Sequence, residues 1–156
     1  MLAFNAGNIA EFRASGGTIS SFGDAPVLLL STVGVKSARS RVNPLMYLAD
    51  PDNPRRVFVF ASAAGADANP AWLTNLVANH DVTVEIGSER LLAKAEVLAE
   101  PERARTFATQ AARYPGFAAY QAKTRRRIPV VALSLRANVP NLPSSSEAPS
   151  APLRDA

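Results

Sequence analysis

The order in which strand-like segments follow one another constrains this chain most. Residues 27–33 form the apolar run Val27-Leu28-Leu29-Leu30-Ser31-Thr32-Val33, which has strand length. Residues 42–49 and 55–62 are two further segments of this kind. Between them stands Asp50-Pro51-Asp52-Asn53-Pro54, in which nearly every residue favours a turn. Val82, Val84 and Ile86 alternate with Thr83 and Glu85, the period of a half-buried strand, and Gly87-Ser88-Glu89 leads into its partner at 91–98. Residues 128–135 add a last strand. Strands that arrive in hairpins, rather than singly between helices, argue against a doubly wound parallel sheet. The expected architecture is mainly β with flanking helices (α+β), an antiparallel barrel with the helices outside.

Helical signals fill the gaps. Residues 5–15 read as a short helix, with Asn8 and Glu11 spaced as a capping box and Gly16-Gly17 as its stop. Asn69 is expected to cap a second helix with Pro70 in its first position; Trp72, Leu73, Leu76 and Val77 follow at helical spacing. That helix ends near His80, the sole histidine, which reads as a helix-end or surface residue. Residues 101–113 form a third helix, broken by Tyr114-Pro115-Gly116, and a short helical piece runs on through Ala122. From residue 137 the chain is rich in Pro, Ser and Ala without apolar period. The expected division is a folded domain over 1–136 and a disordered tail over 137–156.

Composition removes whole classes of chemistry. With no cysteine there is no disulfide, thiolate metal site or cysteine nucleophile, and a cytoplasmic location is expected. One histidine and no clustered carboxylates leave no metal site to expect. No apolar run approaches the ~20 residues of a membrane span. The net charge of +4 suits either a solvated basic surface or an anionic ligand. The cations are not interleaved with aromatics, so no nucleic-acid partner is expected. Neither the Rossmann glycine fingerprint nor the phosphate-loop lysine motif occurs.

Several local motifs then gain meaning from their order. They are Glu11-Phe12-Arg13 before Gly16-Gly17; Gly34-Val35-Lys36-Ser37; Arg41-Val42-Asn43-Pro44-Leu45; Asn69-Pro70-Ala71-Trp72; Asn75-Leu76; Tyr114-Pro115 with Tyr120-Gln121; and Thr124-Arg125 before Ile128-Pro129-Val130. Together they resemble the deazaflavin-dependent nitroreductase family, a branch of the split β-barrel flavin and deazaflavin oxidoreductases. The resemblance implies a split β-barrel of the FMN-binding or pyridoxamine-phosphate-oxidase type. It also implies coenzyme F-420 (an 8-hydroxy-5-deazaflavin) as cofactor, with FMN as the alternative. The activity implied is hydride transfer to a small organic acceptor: a quinone, a nitroaromatic compound or an activated enone. A non-catalytic carrier of deazaflavin or of another apolar ligand is the rival reading. Oligomeric state stays open between monomer and homodimer, and a peripheral membrane contact through the first helix is a further alternative.

The resemblance also assigns residues. The turn over 34–41 would hold the cofactor's phosphate through Lys36, Ser37 and Arg41, an assignment its donors and charge support. Asn43, Pro44, Leu45 and Met46 on the next strand, with Pro70, Trp72 and Asn75 on the helix, would complete the cofactor site. Ser62, Ala63, Ala64 and Gly65 would pass along the ring. Tyr114, Tyr120 and Ser62 would act in catalysis, a phenol donating to an oxygen on which charge develops. Two departures stand out. Val35 occupies the place of an expected arginine, and Ala38 that of an expected glycine, which implies weaker or rearranged phosphate binding. Arg125-Arg126-Arg127 reads as a solvated turn or a contact to the cofactor's acidic tail.

Overall fold

The computed structural model describes residues 2–136, with side chains from residue 5 onward. The expected tail over 137–156 lies outside the described residues. Among the described residues four α-helices occur: α1 (Leu2–Ser15), α2 (Ala71–Ala78), α3 (Glu102–Arg113) and α4 (Gly116–Lys123). The same residues form seven strands: β1 (Val27–Val33), β2 (Ser40–Met46), β3 (Leu48–Ala49), β4 (Arg56–Phe60), β5 (Asp81–Ile86), β6 (Glu89–Val97) and β7 (Val130–Leu135).

All seven strands belong to one sheet in the order β2-β1-β5-β6-β7-β4-β3, and every pairing is antiparallel. The two edges, β2 and β3, are separated in sequence by Tyr47 alone. That single residue forces the edges together, so the sheet curls into a split barrel. The segment expected as one strand over 42–49 is therefore two. Its first part pairs back with β1, Leu28 opposite Leu45; its second pairs with β4, Leu48 opposite Phe58. Pro44, which has no N–H to donate, is tolerated because β2 is an edge.

Strand alternation divides the apolar residues between two faces. Leu28, Leu30, Val57, Val59, Val82, Val84, Val131 and Leu133 fill the interior, where Trp72, Leu73 and Leu76 of α2 plug the barrel. The outward residues Phe58, Phe60, Val130 and Ala132 pack with Phe107 of α3 and Phe117 of α4. Val27 and Leu29 pack with Phe12 of α1 and with Ile19.

Two expected caps are not formed. α1 begins at Leu2, so Asn8 lies inside the helix and is buried, its amide nitrogen without a partner among the described residues. Glu11 instead accepts hydrogen bonds from the Ser20 amide at 2.7 Å and the Ser20 hydroxyl at 3.1 Å. α2 begins at Ala71 behind Pro70, with no side-chain cap. The Asn69 oxygen accepts from Arg126 at 2.8 Å, a charge-assisted bond stronger than the neutral cap it displaces.

Candidate functional site

The turn between β1 and β2 is closed by its own backbone. The Gly34 N–H donates to the Arg39 carbonyl at 2.8 Å, and the Ala38 N–H donates to the Gly34 carbonyl at 2.9 Å. The Arg39 amide donates to the Ser37 hydroxyl at 3.2 Å. A β-carbon on Gly34 would sit 2.6 Å from that hydroxyl oxygen, so a larger residue there would have to displace the Ser37 side chain. Ala38 holds the left-handed conformation, φ 58°, at the position where glycine is expected.

Asn75 ties this turn to α2. Its Oδ1 accepts from the Val35 amide at 3.2 Å, and its Nδ2 donates to the Thr32 hydroxyl at 3.2 Å. Asn75 and Thr32 are buried, whereas the Val35 side chain is exposed. Asn75 thus shapes the turn, with both ends of its amide engaged by the protein.

The result is a concave site of about 450 Å³ lined by Gly34, Val35, Lys36, Ser37, Arg41, Ala71, Thr74 and Asn75. Lys36 and Arg41 form no ion pair among the described residues. The amides of Lys36 and Ser37 have no acceptor among them either. Uncompensated cations, a hydroxyl and free N–H groups on one concave surface fit a phosphate oxyanion. Val35, 56% exposed at the rim, adds apolar surface where an arginine would have added a planar donor fork.

A second group surrounds residues 62–66. Ser62 leads into a short 3-10 turn, Ala63–Gly65, and Ala63 and Ala64 are both left-handed, with φ 45° and 54°. Gly65 is buried against α4; a β-carbon there would lie 2.8 Å from the Tyr120 carbonyl oxygen. The Lys123 ammonium donates to the Ala64 carbonyl at 3.2 Å. Arg126 donates to the carbonyls of Ala61, Ser62 and Ala66 at 3.1, 2.9 and 2.8 Å. Arg126 is therefore no solvated turn residue.

Tyr114 and Tyr120 are half-buried at the margin of the outer core, where Met46 also packs. Phe117 meets Tyr120 edge-on at 5.4 Å and Phe60 at 5.6 Å. Phe117 is a buried anchor, and the two tyrosines flank it.

The structure thus brings Lys36, Ser37, Arg41 and Asn75 to one concavity, and Ser62, Ala63, Ala64 and Gly65 to the α4 surface that carries Tyr120. Pro70 joins the two groups as the residue before α2, whose first residue lines the phosphate-type site. Along β2, Leu45 packs on the interior core, whereas Met46 faces outward; Asn43 and Pro44 are half-buried. Trp72 is 5% exposed and belongs to the interior core. Sequence reading missed Thr74, Lys123 and Arg126. Thr74 had a findable signal, one residue before Asn75 on the same helix; the other two depend on contacts roughly sixty residues away in sequence.

Among the described residues no group of three or more His, Cys, Asp or Glu side chains is placed to hold a metal. No helix among them is long and apolar enough to cross a membrane.

An antiparallel sheet curled so that its two edges are brought together, with a basic turn at one end, α2 plugging the interior and the other helices packed outside, defines a split-barrel protein. The same fold occurs in a Listeria innocua structure of the pyridoxamine 5′-phosphate oxidase type, 11% identical with a TM-score of 0.50 over 71% of this chain and 84% of that one. The chain belongs to the F420H(2)-dependent quinone reductase family, whose profile it matches over residues 7–134. An F420H(2)-dependent quinone reductase of Mycobacterium tuberculosis is 36% identical over 135 residues, spanning 81% of this chain and 87% of the relative. The structure of an F420-H2 dependent reductase superposes with a TM-score of 0.61 at 34% identity, covering 69% of this chain and 93% of that one. Coenzyme F-420 is the cofactor of this family, and the basic concavity fits its phosphate.

Proposed function

We propose that this chain reduces a quinone with reduced F-420, and that a nitroaromatic compound or an activated enone serves as an alternative acceptor. When bound, reduced F-420 supplies two electrons and a proton as hydride. The protein's own task is to bind, orient and shield. Lys36, Arg41, the Ser37 hydroxyl and the free amides of the 34–41 turn hold the phosphate. Asn75 fixes that turn through Val35. The left-handed backbone over residues 63–64 allows peptide groups to approach the ring. Pro44, Met46 and the aromatic margin of α4 exclude water from the reacting face. Tyr114 or Tyr120 donates its phenolic proton to the acceptor oxygen as charge develops there, with Ser62 as a further donor.

The observation that carries this reading is the set of uncompensated cations and free amides in one concavity. Both groups of the site lie on one chain, so the reading holds for a monomer or a homodimer.

The test is a fluorescence titration with oxidised F-420, run beside FMN. Saturable binding of F-420 alone is expected; binding of FMN alone contradicts the reading. Lys36→Ala should weaken F-420 binding by about 1–3 kcal/mol, the scale of one lost charge-assisted hydrogen bond. Unchanged affinity removes Lys36 from the site. Tyr120→Phe should slow quinone turnover with little effect on F-420 affinity, and an unchanged rate removes that phenol from the mechanism.

A further inference from the structure

We propose that Arg126 is a positioning residue: it clasps the 61–69 segment to the α4–β7 connection, and so holds the ring-side loop in its left-handed form against Tyr120. The inference rests on the reading of residues 62–65 as the ring side of the cofactor site.

The geometry is specific to one member of a three-arginine run. Nε of Arg126 donates to the Ala66 carbonyl at 2.8 Å and Nη2 to the Ser62 carbonyl at 2.9 Å. Nη1 donates to the Ala61 carbonyl at 3.1 Å and to Asn69 Oδ1 at 2.8 Å. Arg125 and Arg127 are exposed. Every donating atom of the Arg126 fork is therefore engaged by one loop, which leaves it poorly suited to a cofactor tail.

The chemistry follows from what such a loop lacks. Between β4 and α2 the backbone has no ladder to satisfy its carbonyls. A planar guanidinium spreads five N–H donors over three nitrogens and here reaches four acceptors, whereas an ammonium has three donors on one nitrogen. Arg126 is itself anchored: its carbonyl accepts from Gln121 Nε2 at 2.7 Å, and Gln121 Oε1 accepts from the Ile128 amide at 3.1 Å. Opposite, Gly65 lies against the Tyr120 backbone and Lys123 holds the Ala64 carbonyl. Ala63 and Ala64, in a conformation alanine disfavours, stay there only if their surroundings over-determine it. Through Gln121 the same clasp fixes the loop relative to the helix that carries Tyr120.

The test compares the wild type with Arg126→Lys, which keeps the charge and loses the fork, and with Asn69→Ala, which removes one partner. Amide hydrogen exchange is measured on the full, cofactor-free chain, beside an F-420 titration and steady-state kinetics. In Arg126→Lys the amides over residues 62–68 should exchange about tenfold faster or more, the effect of losing charge-assisted bonds, while those over 34–41 keep their wild-type rates. F-420 should bind about tenfold more weakly, with the KM for the quinone unchanged. Asn69→Ala should move the same readouts in the same direction by less. Exchange over 62–68 within twofold of wild type in Arg126→Lys overturns the proposal. So does equal acceleration over 34–41, which would mark a general loss of structure. If wild type fails to bind F-420 while Arg126→Lys still loosens the loop, the cofactor reading fails and the clasp stands.

Discussion

Three alanines hold backbone that favours glycine: Ala38, Ala63 and Ala64. The left-handed region costs an L-residue roughly 1–2 kcal/mol. Glycine avoids that strain but adds about 0.5–1 kcal/mol of unfolded-state entropy. The difference favours glycine, so Ala38→Gly should stabilise the protein by about 0.5–1 kcal/mol. Urea unfolding would then show a higher midpoint at unchanged slope; a midpoint at or below wild type would place the turn's strain elsewhere. The residue sequence made part of this legible. Lys36, Ser37 and Arg41 could be read as an oxyanion site because they crowd a turn between two strands, and they do line one concavity. Ala38 was marked by its departure from glycine, yet the turn keeps its left-handed form despite the alanine. Arg126 was illegible for a different reason. Three consecutive arginines have the composition of a solvated turn, and only the folded chain brings Ala61, Ser62, Ala66 and Asn69 to the middle one.

At the scale of elements, hairpins with local turn chemistry were readable and long-range closures were not. The β5–β6 hairpin follows from alternation and from Gly87, which is left-handed at φ 60°. The break at Tyr47 leaves no mark in the apolar pattern, because the residues on both sides stay apolar while their partners change from β1 to β4. The capping-box pattern at Asn8 misled because local spacing was outweighed by helix continuing toward Leu2. Two docking contacts between elements are open to test. Gly17, at φ 121°, packs on the turn between β5 and β6, where its β-carbon would lie 2.6 Å from Gly87 Cα. Backbone cannot yield as a side chain can, so Gly17→Ala should cost about 1–3 kcal/mol; a thermal midpoint equal to wild type would show that α1 can shift freely. The other contact ties the β3–β4 hairpin to α3. Arg56 donates to Asp50 at 2.7 Å and to Glu102 at 2.8 Å. Burial disfavours the Asp50 carboxylate, but hydrogen bonds from the Asp52 amide and the Arg56 guanidinium outweigh it and hold its pKa below the ordinary aspartate value. The stability this contributes is present above ~pH 3.9, the unfolded-state value, and is lost as pH falls through the lower folded one. Asp50→Asn should therefore lower the midpoint near neutrality and flatten its fall in acid. Parallel pH profiles for the two proteins would contradict this.

For the whole molecule, the question is where the cooperative unit ends. The sheet is held by pairings that all lie within β1 to β7, and the last of them involve the end of β7. The Leu135 amide donates to the Arg55 carbonyl at 2.7 Å and the Arg136 amide to the Leu92 carbonyl at 2.9 Å. These two bonds join β7 to segments on both of its sides, so chain loss inside residue 136 would open the sheet at its centre rather than fray an edge. The match to the family ends at residue 134, close to the same point. No pairing or core cluster of the described residues requires more chain, and the proposed cofactor and catalytic groups lie between Lys36 and Tyr120, with the positioning residue Arg126 shortly after. We therefore propose residues 1–136 as the functional domain. A chain ended after Arg136 should unfold within about 2 °C of the full protein, since a change under ~0.5 kcal/mol moves the midpoint of a domain this size by no more. It should also bind F-420 with unchanged affinity. A chain ended after Val131 should lose both cooperative unfolding and binding, because it removes the β7 residues opposite Arg56 to Phe58 of β4 and Ala93 to Glu96 of β6. If the cut after Arg136 instead weakens F-420 binding at an unchanged midpoint, the segment beyond it acts on the site and the domain boundary must be moved outward.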